Sequence, residues 1–306
     1  MNSLRQRIAS LRIPEERILE NEPMSRHTSF RVGGKADFFV DVAAEQELAA
    51  LLALLTGESV PHLLIGNGSD LLFADEGYRG VILHLTGEFE NAEASGEYIT
   101  AGSARLLSSV SSLAAENGLT GMEFASGIPG SLGGAVFMNA GAYGGEMKDI
   151  VSRVWVMAPD GSRIEEKTGG EMDFSYRHSA IQDNSGIVTR VELKLTPGDP
   201  AQIRARIREL TEKRNAKQPV NYPSAGSTFK RPSKGYAAAL IEEAGLKGVS
   251  VGGAEVSEKH SGFIINKGGA TASDVLELMR LVRARVYEHS GILLEPEVRI
   301  IGGSID

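Results

Sequence analysis

Apolar residues recur along this chain with two periods, and the order in which those periods alternate predicts its elements. In EQELAALLALLTGE, residues 45–58, Leu48, Leu51, Leu52 and Leu55 share one face of a helix. ADFFVDV before it, and HLLIGNG and GVILHL after it, are short apolar runs that read as strands. Next, GEYITAGS reads as a strand and ARLLSSVSSLAAENG as a helix closed by Gly118. Two strand-like runs flank Asp160-Gly161, a hairpin signal. In GIVTRVELKLTPGD, Val191, Leu193 and Leu195 alternate with Glu192, Lys194 and Thr196, as in a half-buried strand. Asp199-Pro200 then supplies a capping side chain and a first-turn proline for a helix running to Gln218-Pro219. GYAAALIEEAG predicts another helix. A long one runs from Thr271 to Ser290, with Val275, Leu278, Val282 and Val286 on one face and Gly291 as its stop. ILLEPEVRIIG is strand-like, and its pattern does not say which sheet it joins. The texture therefore predicts three units: an α/β unit over 1–85, an α+β unit with an antiparallel sheet over 86–197, and a third over 198–295. The last strand, 296–306, is a candidate to return to the first unit.

Composition narrows the class. With 306 residues, 24% charged and 42% hydrophobic, the chain is globular and long enough for several cores. A net charge of −8 argues against a broad nucleic-acid-binding face but permits a local cationic pocket for a small anion. The absence of cysteine excludes disulfides, zinc–thiolate sites, iron–sulfur clusters and a cysteine nucleophile, and suits a reducing cytoplasm. The six histidines show no HExxH or paired spacing, so no metal site is expected. No apolar run approaches the ~20 residues of a membrane span. The N-terminus, MNSLRQRIASLRIPEER, reads as an amphipathic helix rather than a secretion signal.

Two glycine clusters carry candidate chemistry: IGNGSDLL, 65–72, and GMEFASGIPGSLGGAVFMNAGAYGGEM, 121–147. Neither is a GxGxxG opening a helix after a strand. Glycine, serine and asparagine in loops let backbone N–H groups approach phosphate oxygens closely. Either cluster alone is also compatible with a tight turn. Together they suit a large cofactor with a diphosphate and a flat ring. A third segment, YPSAGSTFKRP, fails the P-loop pattern because Lys230 does not follow Gly226 directly. On its own, Ser227 reads as a turn residue, a phosphate ligand or a catalytic hydroxyl.

RHTSFRVGG, IGNGSDLL, EFASGIPGSLGGAVFMNAGAYGGE, YRHS, GSTFK and PEVRIIG occur in the order and spacing of one family. The chain resembles, over about residues 25–302, the UDP-N-acetylenolpyruvoylglucosamine reductases of peptidoglycan precursor synthesis. The short stretch after Arg177 resembles the variant lacking an extra substrate-domain loop. The resemblance implies an α+β protein with a two-lobed FAD-binding fold of the vanillyl-alcohol-oxidase (PCMH) type and a C-terminal α+β substrate-binding domain. It implies non-covalent FAD, NADPH as co-substrate, a UDP-sugar substrate, a cytoplasmic setting, and a monomer or weak oligomer. The FAD-binding candidates are Gly66, Asn67, Gly68, Ser69 and Asp70 in the first cluster. In the second they are Ser126, Gly127, Pro129, Gly130, Ser131, Gly133, Gly134 and Asn139.

Reducing an enol ether that bears a carboxylate places hydride on the terminal carbon and develops enolate-like charge beside it. That state needs a hydride source, groups that stabilise the carboxylate, and a proton donor. By resemblance Arg177 binds the carboxylate, Ser227 gives the proton and Glu297 is the acidic partner. Without it, Arg177 and Glu297 read as surface residues. Tyr176, Arg214, Lys217 and Lys230 are candidates for substrate contacts, with Lys267 a further one. For Arg214 and Lys217, a solvated basic helix end is an equal alternative. Two departures from the family pattern stand out. Asp70 replaces a usual Asn, so its carboxylate should turn away from a diphosphate or cap a backbone N–H. Arg231 stands in FKRP where FKNP is common. Two other functions compete: an FAD oxidase of the same fold acting on an alcohol, and a catalytically silent flavin or UDP-sugar binding protein.

Overall fold

The computed structural model describes residues 2–305. The chain divides into two compact units: Met1–Glu20, Phe38–Asn67 and Gly80–Arg214 form the first, and Asn21–Asp37, Gly68–Arg79 and Asn215–Asp306 the second. Eight α-helices lie among the described residues: α1 Asn2–Ser10, α2 Glu45–Gly57, α3 Leu107–Glu116, α4 Leu132–Phe137, α5 Ile181–Asn184, α6 Pro200–Lys217, α7 Ala237–Glu243 and α8 Ala272–Ser290.

A four-stranded sheet has the order Ile18–Pro23, Lys35–Val42, Tyr78–Leu85, His62–Ile65. Its last two strands run parallel, with Leu63 opposite Ile82. The leucine stripe of α2 is why that helix forms where it does: Leu48, Leu51, Leu52 and Leu55 are all fully buried, in one cluster with Phe38, Val40, Val81 and Leu83. Each such side chain contributes about 1.5–3 kcal/mol relative to exposure. A five-stranded antiparallel sheet follows, ordered Ile164–Thr168, Val151–Met157, Ile187–Lys194, Tyr98–Gly102, Ala92–Ser95. The hairpin through Asp160-Gly161 joins its first two strands, and Val191 and Leu193 point into its core as their alternation predicts. The glycine segment is not all loop. Ser131 caps α4, its Oγ accepting from Gly134 N–H, and Leu132, Ala135 and Val136 are buried.

The second unit has its own core of α7, α8 and a three-stranded antiparallel sheet, Ser250–Val251, Ala254–Val256, Ile264–Asn266. That sheet is missed by periodicity because each strand has only two or three residues. The C-terminal run forms a ladder only over Arg299–Ile301, which pairs in parallel with Leu71–Phe73. Helix α8 carries a capping box between Thr271 and Asp274, and Gly291 closes it at φ +70°.

Candidate active site

In the first unit the two glycine clusters meet. Asn67 Nδ2 donates to the Pro129 carbonyl at 2.6 Å. A Cβ on Gly66 would lie 2.3 Å from Ser131 Oγ, and one on Gly133 would lie 2.7 Å from Ser103 Cβ. Beside them Ser103 Oγ is buried with no hydrogen-bond partner. Glycine lets these segments close on one another, and the unsatisfied Ser103 hydroxyl beside them fits a polar group such as a cofactor phosphate. Gly127 packs close to Arg214, whose Cδ would be 3.0 Å from an added Cβ. Burial lowers the Arg214 guanidinium below its ordinary pKa, with the Tyr143 phenol acting the other way. By sequence Arg214 is a candidate substrate contact or a solvated helix end; the structure sets it beside Gly127, an FAD-binding candidate. Lys217, three residues on, is exposed.

Arg177 sits in a tight hairpin. Ser175 and His178 exchange two backbone hydrogen bonds of 3.2 Å, and Arg177 takes the left-handed region at φ +57°. A non-glycine residue held there is strained, and side chains from neighbouring segments pin it. Gln182 Nε2 donates to the Arg177 carbonyl at 3.0 Å and to the Phe137 carbonyl at 2.8 Å. Ser179 Oγ donates to the same Phe137 carbonyl at 2.8 Å. Asn139, 1% exposed, donates to the Ser175 carbonyl at 2.9 Å and to Glu146 at 3.0 Å, and accepts from Lys148 N–H at 3.0 Å. Its side chain, an FAD-binding candidate by resemblance, thus links the Arg177 hairpin to the Glu146–Lys148 turn. The guanidinium lies 4.9 Å from the ring centre of Tyr176, which is 48% exposed. Glu146 is held below the usual carboxylate range, first by its hydrogen bond to Lys148, then by Asn139 and by the charges of Lys148 and Arg177, against partial burial.

Ser227 and Glu297 belong to the second unit, and the structure brings their backbones together. Glu297 N–H donates to the carbonyl of Thr228, next to Ser227, at 2.9 Å, and Phe229 bridges Pro296. Lys230 N–H donates to the Glu295 carbonyl at 2.9 Å, while its ammonium lies 3.8 Å from the Glu295 carboxylate. The first glycine cluster continues here. Gly68, at φ +60°, leaves no room for a side chain: a Cβ would lie 1.9 Å from the His27 carbonyl oxygen. Asp70 faces a cation, its charge acting on Arg299 against the lowering effect of that guanidinium's burial. Arg231 lies over the ring of Tyr236 at 4.3 Å, and Lys267 pairs with Glu255 at 2.9 Å.

Two cavities of the first unit, about 470 and 570 Å³, are lined by none of the residues predicted from sequence. Among the described residues no group of three or more His, Asp or Glu side chains is placed to hold a metal ion. None of the described helices is long and apolar enough to cross a membrane. Sequence reasoning did not single out Thr228, Ser103, Glu146 or Gln182, which the structure bonds to or sets beside the candidate residues. Their roles lie in contacts between segments far apart in the chain, which no local pattern reports.

The glycine cradle and the mixed α/β and antiparallel sheets fit an FAD-dependent oxidoreductase, and the comparisons with known proteins agree. Residues 36–166 match an FAD binding domain, and residues 218–301 match the C-terminal domain of UDP-N-acetylenolpyruvoylglucosamine reductase. The chain is 48% identical over 290 residues to the UDP-N-acetylenolpyruvoylglucosamine reductase of Caldanaerobacter subterraneus subsp. tengcongensis, covering 95% of each. It is 47% identical to that of Clostridioides difficile, again covering 95% of each. The crystal structure of the Thermus caldophilus reductase superposes with a TM-score of 0.80 at 37% identity, covering 93% of this chain and 98% of that one. The chain belongs to the UDP-N-acetylenolpyruvoylglucosamine reductase family.

Proposed function

We propose that this protein reduces UDP-N-acetylenolpyruvoylglucosamine to UDP-N-acetylmuramate in the cytoplasm, as a step of peptidoglycan precursor synthesis, with NADPH as the electron source. The proposal assigns FAD to lobes 1–85 and 86–197 and the sugar nucleotide to 198–295. It takes the protein as a monomer or weak oligomer. Gly66 to Asp70, Ser126, Gly127, Pro129 to Ser131, Gly133 and Gly134 hold the flavin nucleotide, with Ser103 Oγ added as a donor that lacks a partner. When bound and reduced, FAD supplies hydride to the terminal carbon of the enolpyruvyl group.

The side chains do the rest. Arg177 presents a planar fork to the substrate carboxylate and stabilises charge that grows there in the transition state. Ser227 gives its hydroxyl proton to the carbon next to that carboxylate. A serine is a weak acid, yet an enolate carbon is basic enough to take its proton. Glu297 is the acidic partner, sharing or relaying the proton. Tyr176, Lys217 and Lys230 contact the sugar nucleotide, and Arg214 the flavin side. The observation that carries this reading is the 2.9 Å hydrogen bond from Glu297 N–H to Thr228, which sets the acid and the hydroxyl on neighbouring backbone segments.

The test separates the half-reactions. In Ser227→Ala, NADPH still bleaches the flavin, but reoxidation by the enolpyruvyl sugar slows by roughly 10²–10⁴. Reoxidation at the parent rate removes Ser227 as proton donor. NADPH consumption that depends on the enolpyruvyl sugar also distinguishes this activity from an oxidase or a silent binder.

A further inference from the structure

The segment 223–230 is held on both sides, and it changes partner at Gly226. Before the glycine, Ser224 bridges Ile265, and Asn266 N–H donates to the Pro223 carbonyl at 2.9 Å. Gly226, at φ +74°, turns the chain. After it, Phe229 bridges Pro296, so the segment lies along the residues before the C-terminal strand. Thr228, 3% exposed, sits where the two pairings overlap. Its N–H donates to the Gly262 carbonyl at 2.9 Å, and its carbonyl accepts from Glu297 N–H. The carbonyl therefore serves Glu297, with Val298 N–H more distant at 3.5 Å. The N–H of Ile264, a residue 2% exposed, is satisfied instead by the Thr228 hydroxyl at 3.0 Å.

We infer that Thr228 is a positioning residue for the proton-donor pair: its hydroxyl stands in for a backbone acceptor so that its carbonyl can hold Glu297 beside Ser227. The inference rests on the assignment of Ser227 made above. Without the hydroxyl, Ile264 N–H is buried and unsatisfied, which is costly. The nearest relief is for the Thr228 carbonyl to swing toward it, releasing Glu297 and turning the Ser227 segment. Threonine and valine have nearly the same shape, so Thr228→Val removes the acceptor and little else. Thr228→Ser keeps the acceptor and loses a methyl group.

The experiment uses full-length, FAD-loaded protein reduced anaerobically with dithionite and mixed with the enolpyruvyl sugar. Thr228→Val is expected to reoxidise roughly 10–100-fold more slowly, as a misplacement near 1 Å does, at an unchanged half-saturating substrate concentration. Its solvent deuterium isotope effect should rise, because proton delivery becomes more limiting. The Ile264 and Glu297 amides should exchange with solvent faster. Thr228→Ser should return reoxidation to near the parent rate. The inference fails if Thr228→Val reoxidises like the parent, or if Thr228→Ser is as slow as Thr228→Val. It fails equally if Thr228→Val loses FAD and slows in both half-reactions, since the residue is then merely structural. Ser227→Ala run in parallel separates the two claims. A slow Ser227→Ala with a normal Thr228→Val overturns only the positioning role. A normal Ser227→Ala overturns the donor assignment, and this inference with it.

Discussion

Arg177 shows what one residue of this chain withstands in order to present a guanidinium. Its left-handed backbone costs on the order of 1–2 kcal/mol for a side chain with a Cβ. Gln182 and Asn139 hold the hairpin against that cost by bonding the Arg177 and Ser175 carbonyls. The two ends of the residue can therefore be tested apart. Arg177→Lys keeps the charge but not the fork. It should slow flavin reoxidation by roughly 10²–10³ and leave the melting temperature nearly unchanged. An unchanged rate takes Arg177 out of the reaction. Asn139→Ala attacks the support instead, stripping bonds from a buried position. It should lower stability by about 1–3 kcal/mol in urea unfolding, with reoxidation slowing as the hairpin loosens. Full stability in that variant would mean the three bonds are not what orders the loop.

At the scale of the element, α8 shows how a helix start is completed from elsewhere in the chain. Four N–H groups at a helix N-terminus lack internal partners. Asp274 N–H is met by Thr271, within the capping box. Ala272 and Ser273 donate instead to the Asp75 carboxylate, each at 2.8 Å, and Ser273 Oγ adds a third bond at 2.6 Å. Partial burial pushes the Asp75 pKa up, but the bonds from the Ser273 hydroxyl and from the Ala272 and Ser273 N–H groups overcome it and leave the pKa lowered. A carboxyl lowered on folding adds stability above its unfolded pKa, and that stability is lost as pH falls through the folded one. Asp75→Ala should therefore cost about 1 kcal/mol near pH 7, discounted for exposure, with the gap to the parent closing as pH falls through the lowered folded pKa, below the ordinary carboxylate range. A gap that does not change with pH would assign the effect to packing. This helix also marks how far the sequence could be read. Its apolar face, Thr271 and Gly291 are local signals, and they set its length. Asp75 is 197 residues from its partner and follows no period. The same holds at the site. Motif order brought out Arg177, Ser227 and Glu297, whereas Thr228, Gln182 and Glu146 matter through bonds across the fold. Resemblance makes Asn139 an FAD-binding candidate, and the fold adds that its amide ties the Ser175 carbonyl to Glu146 while its oxygen accepts from Lys148 N–H.

For the whole molecule, cofactor and stability are linked, because a group that binds only the folded chain stabilises it by mass action. At free FAD near one hundred times its Kd, the gain is about 2.7 kcal/mol, a rise of roughly 4 °C in Tm for a chain of this size. Glycines of the cradle can show whether the gain comes through the loop assigned here. Gly133 is unsuitable, since its Cβ would press on Ser103 at 2.7 Å and disturb the fold itself. Gly134 is better placed: a Cβ there meets only Ser131 Oγ, at 3.3 Å. It is a solvent-reaching position in α4, where a side chain costs the helix no more than glycine does. Gly134→Val should then melt within about 2 °C of the flavin-free parent, well inside the increment that FAD supplies. On adding FAD its melting temperature should stay where it is, and the yellow colour should be lost on desalting. If the variant instead gains the same increment as the parent, phosphate or ring does not approach this turn of α4. The cradle would then have to be sought around Gly66 and Ser103 without it.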